Sequence, residues 1–239
     1  MWNGRTVAVV LPTYNEHLSI RKCILDFESL GVVDRIVVVN NNAHPETSAE
    51  VAGTSAVEVH EPVQGYGSAI RRGLDETRQF DLVCLCEPDG TFEPSDILKL
   101  LPYADDVDVV FGTRTVQTFI LSGANMGRLL RYGNWAVAKF AEVLYNTVSL
   151  SDVGCTFRVV GRASLDRMEP HFRGVGSAFG FEMMLIACRL RLPLVQIPVR
   201  YQARVGKSSV TGSRVKAILL GCRMVLLCIR LRVSRRLVA

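Results

Sequence analysis

The sequence predicts an α/β protein, with a mostly parallel sheet covered by helices on both faces. Three observations predict it. Five short runs of continuously apolar, often β-branched residues recur in the first half of the chain. Segments of helical period separate them. Each run stops at a cluster of polar, charged or glycine residues. Continuous rather than alternating apolar strands belong to sheets buried on both faces.

The elements follow in order. VAVVLP (7–12) reads as the first buried strand. Residues 16–30 place Leu18, Ile20, Ile24, Leu25, Phe27 and Leu30 near helical spacing and stop at Gly31. RIVVVN (35–40) is the second strand, and 46–53 a short helix. VEVHE (57–61) is the third strand, followed by a helix over 67–78 after a glycine turn. DLVCLC (81–86) is the fourth strand, PSDILKLL (94–101) a helix, and DVVFG (108–112) the fifth strand. The second half is more helical, with helices over 126–146 and 179–190 and strand-like segments at 156–160 and 194–200. One domain is expected over 1–210. Residues 211–239 read as a basic amphipathic helical tail, not a domain of their own.

Composition narrows the function. In 239 residues, 49% are hydrophobic and 21% charged, which excludes a disordered or disulfide-stapled chain. The net charge of +5 suits an anionic ligand or a membrane surface, and no nucleic acid is expected. Seven cysteines, most within apolar runs, read as reduced buried thiols. No signal peptide is read at the start, and no apolar run reaches membrane-spanning length. The expectation is a cytoplasmic protein, peripheral to a membrane through its tail. There Lys216, Arg223 and Arg230, spaced by seven, form one basic stripe. Such a helix lies on a membrane surface or packs against a second copy in a homodimer.

In open α/β sheets, ligands bind outside the carboxyl ends of the strands. Those ends carry Thr13-Tyr14-Asn15-Glu16, Asn40-Asn41-Asn42, Gln64-Gly65-Tyr66-Gly67, Glu87-Pro88-Asp89-Gly90 and Gly112-Thr113-Arg114. Their coincidence on one rim predicts a polar ligand site. Gly65 and Gly67 precede a helix, so its free amides and dipole suit an anion; a plain turn is the alternative. Glu87 and Asp89 leave one strand together, as a hard divalent cation needs; a solvated turn is the alternative. Arg204, Lys207, Ser208 and Ser209 offer a basic loop for a phosphate, although the spacing is not that of a P-loop.

LPTYNE (11–16), QGYGSAIRRGL (64–74), CEPDGTF (86–92), VVFGTR (109–114), SDVGCTFR (151–158), FGFEM (179–183) and RVGKSS (204–209) together resemble the family 2 glycosyltransferases of GT-A fold. The branch they resemble is that of the dolichol- and polyprenyl-phosphate sugar transferases. The resemblance runs in order over about residues 6–210. It implies a nucleotide-diphosphate sugar, with GDP or UDP as carrier, and Mg²⁺ or Mn²⁺ as cofactor. Glu87-Pro88-Asp89 stands where the family has Asp-x-Asp, so Asp89 and Glu87 are the expected metal ligands. Pro12, Tyr14 and Glu16 are expected to line the nucleotide pocket. An acidic pair commonly ends the second strand in the family; Asn40 and Asn42 stand here. Arg114, Arg131 and Arg204 match positions where the polyprenyl-phosphate branch binds phosphates.

The resemblance implies that a divalent metal held by Asp89, with Arg114 or Arg204 nearby, offsets charge on the leaving diphosphate. The sugar then passes, with inversion, to a polyprenyl phosphate or a small acceptor. Asp152 and Glu182 are candidate bases for a hydroxyl acceptor, or structural caps. Two other readings stay open. One is a sugar-nucleotide pyranose/furanose mutase on the same scaffold; the other is a non-catalytic nucleotide-sugar binder.

Overall fold

The computed structural model describes residues 1–206 and 214–234, with side chains of the last segment described from Leu219 onward. One seven-stranded sheet forms the centre, in the order β3-β2-β1-β4-β6-β5-β7. Its strands are β1 (Val7–Thr13), β2 (Arg35–Asn40), β3 (Val57–His60), β4 (Leu82–Leu85), β5 (Val109–Thr113), β6 (Arg158–Gly161) and β7 (Leu194–Pro198). Only β6 runs against the rest, antiparallel to both β4 and β5. The mostly parallel sheet inferred from the apolar runs is therefore present.

The helices are α1 (Ile20–Ser29), α2 (Thr47–Val51), α3 (Tyr66–Asp75), α4 (Ile97–Leu100), α5 (Arg128–Tyr145), α6 (Arg162–Met168), α7 (Phe179–Arg189) and α8 (Arg214–Val233). The helix expected over 94–101 shrinks to α4, flanked by 3-10 turns at Pro94–Asp96 and Leu101–Asp105. Pro102 lacks the amide an α-helix needs, so the ladder stops. The short α6 gave no periodic signal of its own in the sequence.

Alternation along the strands sends neighbouring side chains to opposite faces. Val9, Leu11 and Cys84 pack with Ile24 and Phe27 of α1. Val10, Val83, Leu85 and Phe111 pack with α3, α5 and α7. Every residue of α7 except Arg189 is buried, so this helix is the spine of the second layer. The tail is not detached. Met224, Leu227, Cys228 and Leu231 of α8 pack on that layer, and the Tyr145 hydroxyl donates to the Cys228 carbonyl at 2.9 Å. The opposite side of α8 leaves Leu219, Leu226, Ile229 and Val233 exposed. Among the described residues, no helix is long and apolar enough to cross a membrane.

Candidate active site

The rim at the carboxyl ends of the strands opens into a cavity of about 800 Å³. The residues that the strand ends and the 201–205 segment contribute to its wall are largely charged, with Glu87, Asp89, Arg114, Arg158 and Arg204. The helices contribute mostly apolar ones, with Leu129, Leu130 and Val137 from α5 and Leu220, Met224 and Val225 from α8.

Asp89 is buried just past β4. Its Oδ1 accepts from the Thr91 amide (2.9 Å) and hydroxyl (2.6 Å), which fixes the carboxylate plane. Its Oδ2 pairs with Arg204 at 2.9 Å. Arg204 also bonds Glu16 Oε1 at 2.8 Å. Glu16 Oε2 accepts from the Tyr14 and Asn15 amides at 2.6 and 2.9 Å. One acid thus ties the β1–α1 turn to the returning 201–205 segment. That segment is held in turn by Asp96, whose carboxylate accepts from the Arg200 amide and side chain.

Glu87 lies beside Asp89, and among the described residues its carboxylate makes no hydrogen bond or ion pair. Burial, and then the charge of Asp89, push its pKa up to about 7 against the pull of Arg204. Two neighbouring carboxylates, one of them without a hydrogen-bond or ion-pair partner among the described residues, form an all-oxygen donor set. That fits Mg²⁺ or Mn²⁺ rather than a softer metal.

Arg114 and Asp152 are a closed pair. Asp152 accepts from the Arg114 amide (2.9 Å), Nε (2.8 Å) and Nη2 (3.0 Å), and from the Gly154 amide (2.9 Å). Burial alone would raise its pKa, but the charge and hydrogen bonds of Arg114 hold it below the ordinary value. Asp152 orients Arg114, and its lone pairs are already committed; the arrangement does not favour a base. Glu182 has the contacts of the structural one of its two expected roles. Its carboxylate accepts from the Arg173 and Gly174 amides at 3.1 and 2.7 Å, and it is absent from the cavity wall. It braces the 172–176 loop.

The glycine turn before α3 is also corrected. The Gly67 and Ser68 amides, expected to be free for an anion, both donate to the Val175 carbonyl at 2.8 and 3.2 Å. The Gly65 amide donates to Asn41 Oδ1 at 2.7 Å. A Cβ on Gly65 would sit 2.2 Å from the Val175 oxygen, and one on Gly67 2.5 Å from the Gly174 oxygen. These glycines admit a neighbouring backbone, not a phosphate.

Asn40 and Asn42 are likewise engaged within the fold. Asn40 donates to Glu58 at 2.7 Å. Asn42, at φ 55°, donates to the Pro62 carbonyl and to Gln64 Oε1, both at 3.1 Å. Asn41, which the sequence reading passed over, is the buried organiser. It donates to the Glu61 and Val63 carbonyls and accepts from Gln64 and Gly65. Pro12 is buried in β1 and Tyr14 exposed at its end. Arg131 bonds Gln117 and stacks near Tyr132, outside the cavity wall. Lys207 and Ser208 lie outside the described residues.

Arg158 was missed altogether. It is 1% exposed yet borders the cavity. The sequence reading searched only the ends of strands. Because β6 is antiparallel, its first residue reaches the same rim, opposite Leu85 and Phe111.

Comparison with known proteins identifies the family and agrees with the fold. Residues 8–168 match the family described as Glycosyl transferase family 2. A low-salt glycan biosynthesis hexosyltransferase of Haloferax volcanii is 27% identical over 86% of this chain; the chain spans half that relative's length. An undecaprenyl-phosphate mannosyltransferase of Micrococcus luteus is 24% identical, covering 87% of this chain and 89% of the relative. Among solved structures, glucosyl-3-phosphoglycerate synthase of Mycobacterium tuberculosis, in complex with Mn²⁺, UDP and glucosyl-3-phosphoglycerate, superposes with a TM-score of 0.70. It shares 19% identity, over 96% of this chain and 80% of that one. The matched residues span β1 to α6 and include the whole carboxylate centre: the chain belongs to glycosyl transferase family 2.

Proposed function

We propose that this protein transfers a sugar from a nucleoside diphosphate to a polyprenyl phosphate at a membrane surface, with Mg²⁺ or Mn²⁺ held by Asp89 and Glu87. The observation that carries the reading is the cavity itself: charged where the donor's diphosphate must be cleaved, apolar along α5 and α8. A water-soluble acceptor has no use for that apolar wall; an isoprenoid chain does. The mannosyltransferase of Micrococcus luteus, named for an undecaprenyl phosphate, supports the same acceptor class.

Residues of this chain divide the work. The bound metal supplies positive charge at the leaving diphosphate. Arg204 reaches Asp89 and Glu16 from one segment, so it can move from carboxylate to diphosphate without leaving the site. Arg114, fixed by Asp152, holds a second cation in the cavity wall. Asn41 and Glu16 fix the loops on which the nucleotide pocket is built. A phosphate nucleophile is already ionised, so no general base is required, in keeping with the committed carboxylates of Asp152 and Glu182.

The outer helices supply the membrane face. Leu129, Tyr132, Trp135 and Val143 of α5 are exposed, and α8 contains arginines but no acid. Apolar and aromatic side chains beside cations suit the interface of an anionic bilayer. A mutase needs only the donor and leaves the apolar half of the cavity without a role.

Purified protein with Mn²⁺ and GDP-, UDP- and dTDP-sugars, with and without polyprenyl phosphate, tests the reading. Glycolipid formed only with the lipid phosphate upholds it. A product of unchanged mass and furanose ring, formed from donor alone, would establish the mutase instead. Tight nucleotide binding with no turnover would leave a binder.

A further inference from the structure

Among the described residues, metal-ligating side chains gather in threes at one place, and it lies outside the wall of the rim cavity. His17 comes from the turn between β1 and α1; His44 and Glu46 come from the loop between β2 and α2. One nitrogen of each ring and one Glu46 carboxylate oxygen lie within 4.8 Å of one another. His17 Nε2 stands 3.8 Å from Glu46 Oε2. The two rings stack at 3.9 Å, with 19° between their planes.

The backbone brings them there. The His44 amide donates to the Tyr14 carbonyl at 2.7 Å, and the Thr47 amide to the His44 carbonyl at 2.8 Å. Pro45 stands between the two ligating residues of that loop, and its fixed φ narrows the paths the loop can take.

The bonding capacity of His17 is unspent. Its Nδ1 is buried with no hydrogen-bond partner, and its Nε2 has only the ion-pair contact at 3.8 Å. A histidine kept for packing would commit a ring nitrogen to a carbonyl or a carboxylate. His44 Nδ1 accepts from the Glu46 amide at 3.3 Å, a single long bond on an exposed ring. Swinging out of the stack releases that bond and turns the ring edge toward His17. Zn²⁺ bonds of about 2.0–2.2 Å set tetrahedral ligand atoms about 3.4 Å apart, so the trio must close by little more than about 1 Å. The exposed side chains of His44 and Glu46 can make that movement. Two imidazoles and one carboxylate suit a borderline metal, and the fourth position is left to water.

We infer that His17, His44 and Glu46 form a Zn²⁺ site that clamps the β1–α1 turn to the β2–α2 loop, separate from the Asp89–Glu87 pair. The inference does not depend on the transferase reading. His17 directly follows Glu16, whose carboxylate holds Arg204, so a clamp there steadies the turn that carries Glu16.

The test is calorimetry of Zn²⁺ on the full chain, stripped with a chelator and carrying Asp89→Asn and Cys222→Ser. These remove the other carboxylate centre and the exposed thiol. This parent protein is expected to bind one equivalent of Zn²⁺, and excess Mg²⁺ should change the affinity by less than about twofold. Adding His17→Gln or His44→Gln should weaken Zn²⁺ at least about twentyfold, and Glu46→Gln about tenfold. His171→Gln, in the 3-10 turn after α6, should stay within about twofold of the parent. Bound Co²⁺ should absorb as a tetrahedral complex of nitrogen and oxygen, without a thiolate band. Zn²⁺ should slow exchange of the His44 and Thr47 amides in the parent and not in His44→Gln. If His17→Gln does not fold, the exposed His44→Gln and Glu46→Gln decide. No Zn²⁺ binding by the parent, unchanged affinity in folded His44→Gln, a thiolate band, or displacement by Mg²⁺ overturns the site and leaves a stacked histidine pair. Glycolipid formation, on which the transferase reading stands or falls, is measured separately from every one of these outcomes.

Discussion

Two helix N-termini meet the same rim and are closed in different ways, one by a distant loop and one by its own turn. That of α3 follows a glycine turn and has the look of a phosphate cradle in the sequence. In the fold, its Gly67 and Ser68 amides are filled by the Val175 carbonyl. That of α7 follows an ordinary Ser-Ala pair and borders the cavity; its Phe179 and Phe181 amides donate to the Gly176 and Ala178 carbonyls of its own turn, and Arg158 donates to the Gly180 carbonyl. The two are also neighbours: the 172–176 loop that plugs α3 leads directly into α7. Glycine at a helix start reports that something approaches closely. Whether that is a phosphate or a backbone carbonyl is decided by residues more than a hundred positions away.

Substitutions can break this contrast. The largest expected effect is at the plugged end. Gly67→Ala forces a methyl group against the Gly174 carbonyl and Phe179, and should lower stability by about 1–3 kcal/mol as overpacking does. Nucleotide affinity of the folded fraction should be unchanged. Chemical denaturation and calorimetry check the two halves; lost affinity with intact stability would restore the phosphate-cradle reading. Glu182→Gln comes next. Removing charge from a carboxylate that accepts two amides should cost about 1–2 kcal/mol, with kcat within about twofold on the folded enzyme. A fall in kcat of two orders of magnitude at unchanged stability would make it a base after all. The smallest effect concerns the outer face of α5 and α8. The pair Trp135→Ser and Leu226→Ser should weaken binding to anionic vesicles by about tenfold, as two lost interfacial apolar anchors imply. Arg71→Ser, on the exposed side of α3, should leave it within twofold. Equal effects in flotation assays would mean that charge alone, not the α5–α8 face, carries the contact.

The sequence made some of this legible and hid the rest for physical reasons. Strands β1 to β5 and the Glu87–Asp89 pair could be read because continuous apolar runs mark buried parallel strands, and the rim rule then says where to look. Asp152 and Arg114 were both singled out, but not as partners, since 38 residues separate them. The Glu16–Arg204 bridge spans 188 residues and gives no local signal. Asn41 stood between two residues chosen for the nucleotide; strand alternation, applied there, would have pointed its side chain differently from theirs. Arg158 escaped because periodicity reveals a strand without revealing its direction.

Asp89 and Glu87 are proposed to hold the metal that binds the donor's diphosphate. Calorimetry of UDP and GDP, with and without Mn²⁺, on wild type and Asp89→Asn tests it most directly. Mn²⁺-dependent binding is expected in the wild type, with a loss of about a hundredfold or more in Asp89→Asn, the scale expected when a metal's charge no longer meets a diphosphate, and an unchanged circular dichroism spectrum. Equal, metal-dependent affinity in both proteins would contradict it.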